Sequence, residues 1–330
     1  MRRINALFIL LLVVVNASAQ QRPQYTQYVL NNYILNPAIT GIENYIDVKA
    51  SYRNQWVGID DAPVTGALSF HSAIGKKFLR SNANSFDEKG NNPMSRSYLQ
   101  SYKAAEPHHG AGFHVVTDRT GPISRTDVNV TYAYHIGVYD KLNVAVGFAA
   151  GISRVSLDIS KISLEDPNDP AIGANADSKI HPDLSVGLWL YSARYFGGFA
   201  IQQVLGSPLA FNDSPSENQG KQVPHYFFTA GYKAFLNEDI AVIPSVMVKQ
   251  VSPIPVSVDA NLKLAFRDKF WLGGSYRKDD SFSAMAGFNV SYLFNVGYSY
   301  DFTTSNLNSV SNGTHEIVLG VLLNNRYKVT

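Results

Sequence analysis

Few residues of this chain have the type and spacing that chemistry would require. His108, His109 and His114 lie close together and could hold a metal, but no carboxylate stands at ligand spacing beside them. They read instead as loop and strand-end residues. The stretch "LEDPNDPAIGAN" offers Glu165, Asp166 and Asp169 as oxygen ligands for calcium. It lacks the alternating Asp spacing of a calcium loop and reads as a solvated outer loop. No G-x-S-x-G elbow, H-E-x-x-H helix or glycine-rich phosphate loop occurs. No catalytic residue, metal ligand or cofactor is therefore assigned, and a non-enzymatic protein is expected.

A second group of charges has a clearer pattern. Asp47, Lys49 and Arg53 recur at even spacing, as do Asp259 and Lys263, and Asp301 sits in similar surroundings. Such residues share one face of an extended strand, where they can pair with one another. The intervening positions are apolar: Ile46, Val48, Ala50 and Tyr52 in the first case, Val258, Ala260, Leu262 and Leu264 in the second. The same period of two runs through "DVNVTYAYHIG" and "FNVGYSYDF". Strands of 9–11 residues with one apolar and one polar face match a membrane barrel better than a soluble sandwich of ~5–6-residue strands. The apolar faces would meet outer-membrane lipid. The six charges would face the lumen and pair there.

The ends and the composition agree. Arg2 and Arg3 precede a ten-residue apolar run at 6–15 and the small residues Ala17, Ser18 and Ala19. This is the pattern of a cleaved secretory leader over 1–19, and the run is too short to span a bilayer. Without Arg2 and Arg3 the chain holds 26 basic and 26 acidic residues. No basic field points to nucleic acid. There is no Cys, so neither disulfides nor thiol chemistry contributes. With 19 Tyr and 18 Phe, the chain is aromatic-rich. No later segment has the ~18 consecutive apolar residues of a spanning helix.

Fourteen strands are predicted between 44 and 323, an even number as single-chain bacterial barrels require. Long polar links near 155–182, 205–224 and 303–312 alternate with tight ones near 138–141, 192–194, 236–239, 267–268 and 291–292. Long outer loops and short periplasmic turns have this asymmetry, and the parity puts both termini in the periplasm. One long link, 75–109, then falls on the periplasmic side. It is either a disordered insertion or a docking segment for a periplasmic partner. Residues 324–330 form a C-terminal tail. Pro244 falls inside the ninth strand and requires a bulge or an unpaired position.

Ahead of the barrel, over 20–43, lies "QYTQYVLNNYILNPAITG". Tyr25, Tyr28 and Asn32 share one helical face, and Pro37 pushes Asn36 toward an extended conformation. A turn or two of helix ending at Asn36 and Pro37 is expected. The segment is either a periplasmic tether or a plug folded into the lumen, and its many aromatic residues favour the plug. In the outer link "VGIDDAPVT", Asp60 and Pro63 are turn chemistry or part of a partner site. Trp56, Trp189 and Trp271 lie near strand ends and read as interface-girdle or packing residues.

"NNYILNPAITG" and "YRNQWVGIDDAPVT", with the C-terminal stretches "PVSVDANLKLAF" and "GTHEIVLGV", resemble PorP/SprF outer-membrane proteins. The resemblance extends over nearly the whole mature chain and is weaker between about 75 and 225. The insertion at 75–109 exceeds the family's usual short link. The end "LLNNRYKVT" departs from the usual terminal aromatic, with Tyr327 as a substitute. The resemblance implies an integral outer-membrane barrel of Bacteroidota-type bacteria, serving type IX secretion and gliding motility. Its implied partners are type IX components and a secreted adhesin with a C-terminal sorting domain. A competing expectation is a FadL-like transporter of hydrophobic or small solutes, which also has fourteen strands and an Asn-Pro-Ala hatch. A soluble exported sandwich ranks behind both.

Overall fold

The computed structural model describes residues 26, 28, 31–75, 102–162, 178–206, 222–267, 269–291 and 293–325. The predicted leader, Tyr25, Glu165, Asp166, Asp169, Tyr327 and most of the 75–109 link lie outside them.

The strands are β1 (Ile46–Asn54), β2 (Val64–Ile74), β3 (His108–Thr120), β4 (Ile123–Tyr139), β5 (Leu142–Leu157), β6 (Ser178–Tyr191) and β7 (Tyr195–Gln202). They continue as β8 (His225–Tyr232, resumed at Ala234–Phe235), β9 (Ile240–Val251), β10 (Ile254–Phe266), β11 (Phe270–Arg277), β12 (Ser281–Asn289), β13 (Phe294–Thr303) and β14 (Thr314–Leu323). Each pairs antiparallel with its sequence neighbours, and β1 pairs with β14 from Ile46 opposite Leu323 to Asn54 opposite His315. The result is a closed fourteen-stranded barrel without a free edge, so every strand has its backbone partners, as hydrocarbon demands. Among the described residues no helix is long and apolar enough to cross a membrane, and the strands do the crossing.

Alternation divides the two faces. On β4, Val128, Val130, Tyr134 and Ile136 are exposed on the barrel's outside, while Asp127, Asn129, Thr131 and His135 are buried inside. On β13, Phe294, Val296, Tyr298 and Phe302 point out, and Ser299 and Asp301 point in. The inverted pattern of exposed apolar and buried polar side chains is that of a membrane barrel.

Pro244 sits where it costs least. The β8–β9 ladder pairs Gly231 with Ser245 and Ala234 with Val242, in one register. The break at Tyr232 and Lys233 falls opposite Pro244 and Ile243, so the β8 ladder is already interrupted beside the proline, while on its other side Pro244 stands opposite Leu262 of β10.

The links at the end where β1 starts and β14 stops are short, apart from the one between β2 and β3. The links at 158–177 and 203–224 lie at the other end, which is the outer one by the general asymmetry of such barrels. That end also carries three tight turns, at 121–122, 252–253 and 278–280, so its loops are long only in part. The described part of the β2–β3 link packs at the periplasmic rim. Asn143 accepts from Ala105 N at 2.9 Å and donates to the Tyr102 hydroxyl at 2.9 Å.

Candidate functional site

The lumen holds the N-terminal segment. It enters from β1 at the periplasmic end and climbs toward the outer one. Two 310 turns, Asn32–Ile34 and Pro37–Ile39, shape it. Asn36 between them is extended, at φ −136° and ψ 109°, as the following proline requires. Pro37 occupies the first position of its turn, where a missing N–H is harmless, and Asn36 Oδ1 caps it by accepting from Ala38 N at 3.0 Å.

Irregular backbone at membrane depth must find partners on the surrounding wall. Asn36 Nδ2 donates to Leu188 O at 3.0 Å and Phe199 O at 3.3 Å, bridging β6 and β7. Gln202 Nε2 donates to Ile34 O at 2.9 Å and Leu35 O at 3.0 Å. Three histidines clasp the next bend. His135 Nε2 lies 2.8 Å from Thr40 O, an acceptor, so this nitrogen carries the hydrogen. His135 Nδ1 is then an acceptor for the Tyr191 hydroxyl at 3.1 Å. Gly41 N donates to His71 Nδ1 at 3.2 Å, and His108 Nε2 lies 3.2 Å from Gly41 O. His108 stacks on His135 at 4.5 Å between centroids.

The wall is carved to admit this segment. A Cβ on Gly187 would stand 2.0 Å from Asn36 Oδ1, and one on Gly147 would stand 2.6 Å from Ala38 N. Only glycine leaves room at these two points of close approach.

Side chains anchor the rest. The Tyr33 hydroxyl shares a 2.7 Å hydrogen bond with Thr131 Oγ1, and its ring meets His114 edge-on at 5.7 Å. Asn31 Nδ2 donates to Ser69 Oγ at 3.1 Å. Asn261 Nδ2 donates to the Tyr28 hydroxyl, and the Tyr28 ring packs with Leu35, Ala200, Phe227 and Met247. Burial pushes the phenols of Tyr28 and Tyr33 upward, so both act as neutral hydrogen-bonding groups.

The outermost anchor is ionic. Arg53 Nη2 donates to Asp301 at 2.8 Å, and Nη1 donates to Glu316 at 2.8 Å and to Thr26 Oγ1 at 2.9 Å. Thr26 closes the network, its N donating to Glu316 at 2.8 Å and its Oγ1 to Asp301 at 2.6 Å. Arg53 is one residue from the outer end of β1, and Asp301 and Glu316 are each two from the outer ends of β13 and β14. Thr26 therefore lies in the outer half of the lumen. Strand parity puts only the start of β1 at the periplasmic end; it carries no information about a segment that turns back through the barrel.

The predicted charges distribute as follows. Asp47, Arg53, Asp259 and Asp301 are buried on the lumen face. Lys49 pairs with Asp47, and Arg53 with Asp301. Asp259 pairs at 3.0 Å with Arg277, and Lys263 Nζ stands 4.7 Å over the Trp271 ring. Tyr28, Asn32, Asn36 and Pro37 come together in the lumen. Trp56, Asp60 and Pro63 do not join them. They lie in the β1–β2 outer loop, where Trp56 has φ +47° and donates its N–H to Thr314 Oγ1 at 3.1 Å. Trp189 and Trp271 face inward and pack, which excludes a girdle role for both. His108 and His114 face the lumen, and His109 faces outward against Tyr132 and Tyr134.

Glu316, Arg277, His71, His135 and Gln202 were not singled out from the sequence. Each sits on the polar phase of its strand, the one signal that could have marked it.

A sequence profile described as "Type IX secretion system membrane protein PorP/SprF" matches residues 17–321. No curated protein matched in a sequence search. Solved structures with a similar course include the toluene transporter TbuX of Ralstonia pickettii, at 12% identity over 87% of this chain and 91% of that one, with TM-score 0.45. The Acinetobacter baumannii outer membrane protein Omp33 matches at 8% identity over 86% of this chain and 100% of its own, with TM-score 0.47. The CymD monoaromatic hydrocarbon channel matches at 12% identity over 88% and 91%, with TM-score 0.46. A closed barrel with lipid-facing apolar strands and a profile match over nearly its whole length place this protein in the outer membrane. The chain belongs to the PorP/SprF family of type IX secretion system membrane proteins.

Proposed function

We propose that this barrel serves type IX secretion as a non-enzymatic docking protein and not as a protein conduit. It aids secretion or surface attachment of a cognate adhesin-type substrate by binding that substrate's sorting domain, periplasmic components of the machinery, or both. The observation that supports this reading is the occupied lumen. The N-terminal segment is bonded to β1, β2, β4, β6, β7, β10, β13 and β14, so clearing the barrel would break bonds on most of its wall. Recognition then falls to the two rims and loops.

Deleting the gene tests the proposal. The expected result is loss of surface display of the cognate substrate with unchanged uptake of hydrophobic solutes. Normal display with impaired uptake would overturn it.

A further inference from the structure

Charge on the barrel wall is kept to the lumen, with two exceptions. Among the described residues, every Asp, Glu, Lys and Arg on the fourteen strands stands on the inward phase of its strand except Arg119 on β3 and Arg154 on β5. Both are exposed on the outside, one and three residues from the outer ends of their strands. We propose that these two arginines, with the hydroxyls between them, hold the phosphate of an outer-leaflet lipid headgroup.

The register brings them together. Arg119 stands opposite Ser124 on β4, and Arg154 stands opposite Thr126, two residues farther along the same strand. Two strand spacings of ~4.8 Å and two residues of ~3.3 Å put the two Cα atoms about 12 Å apart, near enough for both long side chains to meet one headgroup. Ser124 and Thr126 occupy the outward face between them, with Thr117 beside Thr126 and Ser156 beside Ser124.

The patch lies at headgroup level. The next outward row toward the periplasm is Val115, Val128 and Ile152, so apolar wall gives way to Thr, Ser and Arg within two residues. Across the barrel the outer ends of β11 to β13 present Tyr276, Phe282 and Phe302 instead, so the cationic patch marks one flank.

The partner follows from position and charge. An outward side chain of a membrane barrel at this level meets lipid headgroups, and a guanidinium fork grips phosphate oxygens in pairs. Arg154 Nη2 donates to Ser178 Oγ at 3.4 Å, a neutral contact on one of its five N–H donors. The carboxylate whose charge reaches Arg119 is Asp158, itself accepting from Ser160 N at 3.2 Å and Ser160 Oγ at 2.6 Å. An approaching phosphate therefore displaces no ion pair.

The purified full chain in detergent is titrated with lipid A carrying both its phosphates and with the same lipid dephosphorylated, bound lipid being counted by native mass spectrometry. Inorganic phosphate serves as competitor. The expected result is saturable binding of the phosphorylated lipid, at least about tenfold tighter than the dephosphorylated one. Arg119→Gln and Arg154→Gln together should weaken the phosphorylated lipid at least about tenfold and leave the dephosphorylated one unchanged. Lys278→Gln, in the outer turn between β11 and β12, should alter neither. Both arginines are exposed, so the variant should fold, as judged by heat-modifiable gel mobility. Equal binding of the two lipids, displacement by an equal concentration of inorganic phosphate, or unchanged affinity in the double variant would overturn the proposal.

Discussion

Gly187→Ala is a one-carbon perturbation aimed at the seat of Asn36. The added Cβ would stand 2.0 Å from Asn36 Oδ1, 3.0 Å from its Cγ and 3.1 Å from Pro37 Cδ. The Asn36 side chain must rotate away. It then surrenders its bonds to Leu188 O, Phe199 O and Ala38 N. Three bonds at roughly 0.5–1.5 kcal/mol each come to about 1.5–4.5 kcal/mol. At 1.36 kcal/mol per factor of ten, local release of the segment should rise roughly ten- to thousandfold. Hydrogen exchange of the Ala38 to Gly41 amides in the purified barrel reads that release directly. Gly197→Ala on the neighbouring strand is the control, since its Cβ would meet Thr229 O at an ordinary 3.5 Å. Unchanged protection in Gly187→Ala, or equal loss in both variants, would refute the packing argument.

Arg53→Met removes the cation from a site holding Asp301 and Glu316, and should destabilise the barrel by about 3–5 kcal/mol in urea titration. A loss below about 1 kcal/mol would mean the network is solvated. Val130→Arg, on the outward face of β4, should cost about 2–4 kcal/mol in lipid vesicles if it lies near the midplane; no cost would deny that this face meets hydrocarbon. Asn143→Ala unties Ala105 and Tyr102, so new protease cleavage near residues 102–105 is expected, and an unaltered digest would show that the strap is held otherwise.

The barrel was legible in the sequence because a lipid-facing strand has little freedom. Val128, Val130, Tyr134 and Ile136 must all be apolar and the residues between them need not be, so the period of two survives over long strands. Pro244 was expected at a bulge or an unpaired position; it lacks a partner on β8 but stands opposite Leu262 on β10. The lumen was less legible. Arg53 and Asp301 were expected to face inward, but their joint partner Thr26 lies 27 residues before Arg53 and 275 before Asp301. No periodicity links such positions. Asn36 and Pro37 announced a bend without saying what it would rest on. The answer lies in Gly147 and Gly187, which in a strand pattern look only like weak points. For Trp189 and Trp271 the choice between girdle and packing stayed open for a related reason. An aromatic near a strand end serves a girdle or a core equally well, and only the face it occupies decides.

The chain has no cysteine, which makes one measurement unusually clean. Asn31 Nδ2 and Ser69 Oγ are 3.1 Å apart, one on the inserted segment and one on the lumen face of β2. A carboxamide nitrogen stands one bond farther from Cβ than a cysteine sulfur, so cysteines at these two positions suit a short bifunctional thiol crosslinker better than a direct disulfide. In Asn31→Cys/Ser69→Cys, treated in intact outer membranes with a short bis-methanethiosulfonate, the segment's residence in the lumen predicts a linked peptide pair by mass spectrometry. A barrel of normal heat-modifiable mobility in which the two thiols are never linked to each other would contradict it.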